Sequence, residues 1–174
     1  MIGSNINEYD HYQGDVNAPL ILMEYGDFEC EHCGEAYWQV KKLQEYFGED
    51  MCFVYRNFPL TQSHPAAFVA AIAAEAAGLQ NKFWEMHNVI FEHQEYLEEG
   101  LDGIFLLAKK IELNPLLLQN DMRKSLLKEK VENDFEIGVR SGVNKTPTFF
   151  INGYRYNGIP VFDEMMEAIQ ELSE

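Results

Sequence analysis

The first part of the chain alternates between short apolar runs and a helical pattern. Residues 20–25 form an apolar run that predicts a buried strand. Across residues 31–47, apolar side chains recur at intervals of three and four positions, which predicts a helix that ends at Gly48. Residues 51–58 are rich in aromatic and β-branched side chains and predict a second strand. A strand, a helix and a strand in this order imply a right-handed parallel unit.

Helical patterns occupy the middle of the chain. Residues 66–77 are mostly alanine, a strong helix former, and Pro65 suits the first position of that helix. Residues 82–93 and 101–111 also read as helices, and Asn114-Pro115 is a start signal for another. Residues 121–141 predict one long helix that Gly142 ends.

Strands return near the C-terminus. Residues 148–151 and 154–156 flank Asn152-Gly153, a two-residue sequence typical of a tight hairpin. An amphipathic helix follows, with apolar side chains spaced from Phe162 to Leu172. The whole pattern predicts one α/β domain over residues 1–174. Its core spans about 14–60 and 143–174, and a helical insertion spans about 61–142.

Composition and charge narrow the classes of function. Hydrophobic residues make up 47% of the chain and aromatic residues 13%, which is enough for a sizeable core. The formal net charge of −16 argues against nucleic-acid partners and anionic membrane surfaces. The most apolar stretch, residues 66–77, is too short to span a bilayer and contains Glu75, so we expect no membrane insertion. Residues 1–12 are polar and acidic and show no signal peptide, which makes a cytoplasmic location the default expectation. A periplasmic or secreted protein whose leader had been removed would show the same pattern.

Two of the three cysteines form a C-x-x-C motif, Cys30-Glu31-His32-Cys33, where the first strand leads into the first helix. In a reducing compartment this spacing indicates a redox pair or half of a metal site. Free N–H groups and the helix dipole favour negative charge at a helix N-terminus, so the placement activates Cys30 as a thiolate. We expect Cys30, exposed at the helix tip, to attack a substrate disulfide. Cys33, less exposed, would then release the reduced substrate by an intramolecular attack.

Other residues near the motif have alternative interpretations. His32, as an imidazolium, would stabilise the Cys30 thiolate, or it is an ordinary exposed loop histidine; the charge of Glu31 acts in the opposite direction. Glu24 interrupts an apolar strand. It is either a buried acid that takes a proton from Cys33 or a satisfied structural carboxylate. Cys52 has no partner at a useful spacing and reads as a buried inert thiol.

Taken together, these residues resemble the DsbA-like branch of the thioredoxin superfamily, from about residue 14 to residue 172. The motifs that carry the resemblance are Gly14-Asp15, Ala18-Pro19, residues 24–30, Cys33, His64-Pro65-Ala66-Ala67, residues 80–87 and residues 142–153. The resemblance implies a thioredoxin fold with a helical insertion between the second and third core strands. It also implies a thiol–disulfide oxidoreductase without a cofactor, acting on protein or small-thiol disulfides and served by a redox partner.

The resemblance further implies roles for individual residues. The Thr146–Pro147 bond is expected to be cis and to face the cysteines, leaving the Thr146 backbone free to pair with an extended substrate. Glu24 matches the buried acid of the family. Two departures imply a less oxidising pair: Glu31 stands where the family often has proline, and Thr146 stands where strongly oxidising members often have valine.

Three alternatives to the oxidoreductase remain open on the sequence. The chain could be a redox-inactive binding or chaperone module that keeps the thioredoxin shape, although the intact cysteine pair argues against it. It could be a metal-binding protein in which Cys30 and Cys33 are joined by His32, His87 or His93. The third alternative is a glutathione-linked transferase on a similar fold. Such enzymes need only one catalytic residue, so the presence of a second cysteine, Cys33, argues against this class.

Overall fold

A five-stranded mixed sheet lies at the centre of the computed structural model, which describes residues 6–173. Residues 1–5, which belong to the polar and acidic segment 1–12, and Glu174 lie outside the described residues. The strands are β1 (His11–Gln13), β2 (Leu20–Gly26), β3 (Met51–Asn57), β4 (Thr148–Ile151) and β5 (Tyr154–Tyr156). The helices are α1 (Glu31–Phe47), α2 (Ala67–Leu79), α3 (Phe83–Glu92), α4 (Leu101–Lys110), α5 (Pro115–Asp121), α6 (Ser125–Arg140) and α7 (Phe162–Ser173).

The order of strands in the sheet is β1-β3-β2-β4-β5. Strand β2 pairs in parallel with β3, as the strand–helix–strand pattern predicted, and antiparallel with β4. The hairpin of β4 and β5 turns at Asn152 and Gly153, which both have positive φ angles of 48° and 84°. Strand β2 is therefore central, and the loop after its C-terminal end lies above the middle of the sheet.

The two faces of the sheet are covered differently. On one face Leu22, Tyr55 and Phe149 pack in a large cluster with residues of α1, α7 and the helices of the middle segment. On the other face Met23 and Phe150 belong to a smaller cluster that also includes side chains from α6. The helices between β3 and β4 thus contribute to both layers.

Strand β1 was not predicted, because its three residues contain no apolar run. It pairs antiparallel with β3. His11 anchors it by stacking on Phe83 with ring centroids 3.6 Å apart, and its Nε2 lies 2.6 Å from Glu75 Oε2. This strand depends on contacts with distant residues, which local patterning does not reveal.

Two helix boundaries were predicted wrongly. Helix α2 begins at Ala67 rather than at Pro65, because Ser63 and His64 both donate to the Leu60 carbonyl and form a turn before it. The helix predicted over residues 121–141 begins later, at Ser125, because α5, the helix predicted to start at Asn114-Pro115, continues to Asp121. The break is a turn in which Lys124 N–H donates to the Asp121 carbonyl at 3.0 Å, and Lys124 Nζ pairs with the buried Asp121 carboxylate at 2.7 Å.

His87 of α3 is an uncharged histidine in the aromatic part of the core. It is 2% exposed, and its ring lies edge-on to Phe28, Tyr55 and Phe91 with centroids 4.7–5.8 Å away. Burial lowers the pKa of His87 to about 3, despite its hydrogen bond with Asn88. A proton on this ring would have to be accommodated among hydrocarbon side chains, so the folded state excludes it.

This exclusion predicts a pH-dependent stability effect of His87→Leu. An unfolded histidine binds a proton near pH 6.5, whereas folded His87 does so only near pH 3. As the pH falls between these values, His87 costs the folded state up to about 1.4 kcal/mol per pH unit. We expect the leucine variant to lose less stability than the wild type between pH 7 and pH 4.5 in urea unfolding. Parallel losses in the two proteins would contradict this assignment.

Candidate active site

The C-x-x-C motif occupies the turn between β2 and the first turn of α1. Cys30 is the N-cap of α1; its N–H donates to the Asp27 carbonyl at 3.1 Å, and its carbonyl accepts from the Gly34 N–H at 3.1 Å. Cys33 lies one turn inside the helix and is fully buried. Cys30 is less exposed than we expected, at 5%, because the loop before β4 covers it. All three cysteines, which lie within the described residues, are free thiols.

The covering loop contains Thr146 and Pro147, which are joined by a cis peptide bond. Cys30 Sγ lies 3.6 Å from the Thr146 carbonyl oxygen, to which its protonated form donates a hydrogen bond. Thr148 Oγ1 donates to the Lys145 carbonyl at 2.7 Å and braces the turn. The structure therefore brings Thr146 and Pro147 to the Cys30 sulfur, across a separation of 116 residues between Cys30 and Thr146.

Cys30 is strongly acidified by its surroundings. The hydrogen bond from the Cys33 thiol lowers the pKa of Cys30 most, and burial opposes it. The Thr146 side chain and the backbone N–H groups of Cys33 and His32 lower it further, to about 5. The Thr146 hydroxyl is itself buried and has no hydrogen-bond partner among the described residues, so it is free to donate to a Cys30 thiolate. At neutral pH Cys30 is consequently a thiolate, the form that attacks disulfides.

Cys33 has the opposite character. Burial raises the pKa of Cys33 well above its ordinary value, and the Cys30 thiolate and the charge of Glu24 raise it further. The Asp27 N–H points at Cys33 Sγ, 3.5 Å away, and partly offsets this effect. One helical turn thus holds an ionised sulfur beside one that keeps its proton.

Glu24 lies in the central strand β2, between Tyr55 of β3 and Phe149 of β4 in the register of the sheet. It is 2% exposed, and its Oε1 has no hydrogen-bond partner among the described residues. Burial, and then the charge of Cys30, raise the pKa of Glu24 to about 8. Glu24 is therefore a buried acid whose charge is coupled to both sulfurs, and one of its carboxyl oxygens lacks the hydrogen-bond partner that a buried polar atom usually has.

His32 and Cys52 lie apart from the two sulfurs. The His32 side chain is 77% exposed, and its Nδ1 lies 3.6 Å from Glu35 Oε2. Its contribution to Cys30 is a backbone N–H, as described above. Cys52 is buried in β3 and belongs to the cluster on the opposite face of the sheet from Cys33.

Sequence reasoning missed several residues that shape the site. The buried Asp27 carboxylate accepts from the Glu29 and Leu60 N–H groups at 2.8 and 2.9 Å, and it lies 2.8 Å from His64 Nδ1. The first of these bonds is an Asx turn, which an aspartate between a strand and a helix could have signalled. Tyr55 also approaches the site, and its buried hydroxyl has no hydrogen-bond partner among the described residues. Only the strand register identifies Tyr55 as the neighbour of Glu24.

A groove with a volume of about 520 Å³ runs beside the cysteines. Its lining includes residues of α1 from His32 to Gln39, together with Thr146 and Pro147. The loop from Gly158 to Val161 also lines the groove. In this loop Ile159 is 61% exposed, so the groove offers apolar as well as polar surface.

No group of three or more His, Cys, Asp and Glu side chains within residues 6–173 is arranged to hold a metal ion. Within the same range, no helix is both long and apolar enough to cross a membrane.

Curated relatives match most of this chain but only a small part of their own length. The chain is 40% identical to the Na(+)/H(+) antiporter NhaA 1 of Mycolicibacterium vanbaalenii over 149 residues, which are 86% of this chain and 24% of the relative. It is 39% identical to the NhaA 1 antiporter of Salinispora arenicola, over 92% of this chain and 24% of the relative. The chain thus spans about a quarter of these relatives, and their transport activity cannot be transferred to it by name.

Solved structures match the chain along nearly its whole length. BdbD from Bacillus subtilis, in its oxidised form, is 25% identical with a TM-score of 0.80, covering 94% of this chain and 92% of BdbD. A thioredoxin-like oxidoreductase from Silicibacter pomeroyi is 21% identical with a TM-score of 0.82, and the match covers 96% of this chain and 94% of that protein. The α-DsbA1 protein of Wolbachia pipientis is 21% identical with a TM-score of 0.81, and the match covers 96% of this chain and 92% of that protein.

These comparisons contradict the expectation of a cytoplasmic location. One structural neighbour is described as a periplasmic thioredoxin-like protein from Salmonella enterica serovar Typhimurium; it is 17% identical, with a TM-score of 0.78 over 97% of this chain and 92% of that protein. DsbA-type proteins work in the oxidising bacterial periplasm. The expectation was wrong because it depended on the composition of residues 1–12 and not on the redox chemistry of the cysteine pair.

The fold and the resemblance stated from the sequence are both confirmed. The sheet with its helical segment matches DsbA-type thiol–disulfide oxidoreductases, and this similarity supports thiol–disulfide chemistry in general. A family model described as Thioredoxin matches residues 6–171. The chain therefore belongs to the thioredoxin family, and its structure is DsbA-like.

Proposed function

We propose that the chain is a thiol–disulfide oxidoreductase that exchanges disulfides with protein or small-thiol substrates through Cys30 and Cys33. The observation that carries the proposal is the contrast between the two sulfurs: one helical turn holds an acidified thiol at its tip and a buried, protonated thiol behind it. This contrast gives each cysteine a different step of one reaction.

In the first step, the Cys30 thiolate attacks one sulfur of a substrate disulfide. A mixed disulfide forms between Cys30 and the substrate, and the other substrate sulfur leaves as a thiolate. In the second step, Cys33 loses its proton and attacks Cys30 Sγ. The Cys30–Cys33 disulfide forms, and the second substrate sulfur is released, so that the substrate is reduced and the enzyme is oxidised. The reverse sequence oxidises a substrate dithiol.

Glu24 is the proposed proton acceptor for Cys33. Its pKa of about 8 means that it exchanges protons within the range in which thiols are activated. Formation of the mixed disulfide has by then removed the negative charge of Cys30, which lowers the pKa of Glu24 and favours the carboxylate form that accepts the proton. Thr146 and Pro147 are the proposed substrate-binding residues, since they line the groove next to Cys30. A role for the His32 ring remains a prediction.

The acidity of Cys30 favours one direction of reaction. A thiol with a pKa of about 5 stabilises the reduced, dithiol form of the enzyme at neutral pH. A pair whose reduced form is stabilised is an oxidant of other dithiols. This argument points away from the less oxidising pair that Glu31 and Thr146 suggested. We propose that the enzyme works as a dithiol oxidant, with a separate redox partner that reoxidises it.

Selective alkylation tests the proposed assignment of the two thiols. At pH 6 a thiol with a pKa of about 5 is about 90% ionised, whereas an ordinary cysteine is well under 1% ionised. We expect iodoacetamide to label Cys30 at least about tenfold faster than Cys33 or Cys52, as measured by mass spectrometry of quenched samples. The Cys52→Ala variant serves as a control and should show the same Cys30 rate. Labelling that begins at Cys33 or Cys52 would contradict the assignment.

Mild oxidation separates this function from a redox-inactive binding module. Treatment with oxidised glutathione should link Cys30 to Cys33 and protect both from alkylation. A binding module that only keeps the thioredoxin shape would leave the pair reduced under the same conditions.

A further inference from the structure

The helical segment between β3 and β4 reaches back to the active-site turn through one side chain, Gln94. Gln94 opens the 3-10 turn Gln94–Glu99, just after α3. Its Nε2 donates to the carbonyl oxygens of Phe28 at 2.8 Å and of Cys30 at 2.9 Å. Because both partners can only accept, the amide nitrogen must face the turn. One side chain thus holds the peptide groups on both sides of the reactive cysteine.

A second observation concerns Gly34, which lies in the interior of α1. A glycine there costs helix stability compared with alanine, and Gly34 has an ordinary helical backbone that any residue could adopt. A Cβ atom built on Gly34 would overlap the Oε1 atom of Gln94 and lie 2.9 Å from its Cδ. The Gln94 amide therefore lies directly against the backbone of α1, and a glycine is what leaves room for it.

We propose that Gln94 is a positioning residue for disulfide exchange, which holds the turn that carries Cys30, and that Gly34 is required to admit it. This inference rests on the proposed function of the cysteine pair. The Cys30 carbonyl accepts both from Gln94 and from the Gly34 N–H that starts the helix. Together these bonds fix the plane of the peptide group that follows Cys30, and with it the direction of the N–H groups at the tip of α1.

Two physical effects follow from this geometry. First, the oxygen of a carbonyl carries partial negative charge, and a donor that pairs with it reduces its repulsion of a neighbouring thiolate. Second, without Gln94 the Phe28 carbonyl loses this donor, and the turn is free to rotate the N–H groups away from Cys30 Sγ. Both effects act on the ionisation of Cys30, while neither Gln94 nor Gly34 takes part in the covalent steps.

The test compares Gln94→Met, Gly34→Ala and the double variant with the wild type. Methionine keeps the length of the side chain but removes both donors. Alanine at position 34 displaces the flexible end of Gln94 and otherwise suits a helix, so this variant should fold. We expect the alkylation rate of Cys30 at pH 5 to fall about three- to fivefold in each single variant, because a smaller fraction of the thiol is ionised. The double variant should resemble the single ones, since both changes remove the same contact.

The control is Gln170→Met, which changes an exposed glutamine of α7 and should leave the Cys30 rate at its wild-type value. If the variants lose thermal stability while the pH dependence of Cys30 alkylation stays that of the wild type, Gln94 is a structural residue and the proposal is wrong. A Gly34→Ala variant with an unchanged pH dependence overturns the role of Gly34. Alkylation reports on Cys30 whether or not the protein exchanges disulfides, so failure of the proposed function is measured separately, as loss of exchange in the wild type.

Discussion

We expect that replacing Cys30 by serine will abolish disulfide exchange, whereas replacing Cys33 by serine will leave the first attack intact and stop the reaction at a mixed disulfide. A serine hydroxyl at position 30 is not ionised at neutral pH, and the favourable surroundings of the tip of α1 cannot make it a comparable nucleophile. We expect the exchange rate of Cys30→Ser to fall on the order of a thousandfold or more. In Cys33→Ser, the Cys30 thiolate still attacks, but no buried thiol is present to break the bond that forms.

These outcomes are measured on two substrates. Reduction of insulin, followed by turbidity, reports complete turnover and should be lost in both variants. Incubation with oxidised glutathione, followed by intact-protein mass spectrometry, should show a stable single glutathione adduct on Cys33→Ser and none on Cys30→Ser. Cys52→Ala should behave like the wild type in both assays, because Cys52 lies in the cluster on the other face of the sheet. Sustained turnover by either active-site variant would rule out the dithiol mechanism.

The parts of the fold that the sequence predicted are those whose signals are local. The bounds of α1 coincide with the prediction because both signals are local: the apolar spacing lies within the helix, and Gly48 lies at its C-terminal end. The β4–β5 hairpin follows from Asn152-Gly153 alone. The start of α6 at Ser125 rather than at Asp121 has no such signal, because Leu118, Leu127 and Val131 maintain an apolar face on both sides of the turn. The turn is stabilised instead by the buried carboxylate of Asp121.

The candidate active site also contains some residues that local patterns predict and others that they do not. Cys30, Cys33 and Glu24 stand out because each breaks or marks a local pattern: a C-x-x-C motif at a helix start, and a carboxylate in an apolar strand. Gln94 carries no signal of its own, since its partners lie more than 60 positions away and are backbone carbonyls. The burial of Cys30 could not be predicted from local sequence either, because the loop that covers it lies more than 100 positions further along the chain.

Replacing Glu24 by glutamine should slow the second step of exchange without affecting the first. Glutamine has nearly the shape of glutamate but cannot take a proton from Cys33. We expect release of a mixed disulfide near pH 7.5 to slow by about a hundredfold, the scale of a lost general base. The rate of Cys30 alkylation at pH 6 should stay close to that of the wild type or rise, since burial and the charge of Cys30 keep Glu24 largely protonated at that pH. Stopped-flow measurement of product release from a preformed glutathione adduct separates the two steps.

The same substitution has an independent consequence for stability. The carboxyl of Glu24 releases its proton near pH 4.5 in the unfolded chain and near pH 8 in the folded protein. The folded state therefore binds more protons between these values, and wild-type stability falls as the pH rises, by up to about 1.4 kcal/mol per pH unit from this residue. In Glu24→Gln this contribution is absent, so the variant should gain stability relative to the wild type between pH 5 and pH 8 in urea unfolding of the reduced proteins. Glu171→Gln, an exposed change on α7, should follow the wild type at every pH. A Glu24→Gln variant that released its adduct at the wild-type rate, yet still showed the stability gain, would leave Glu24 as a buried acid and remove it from the proton transfer.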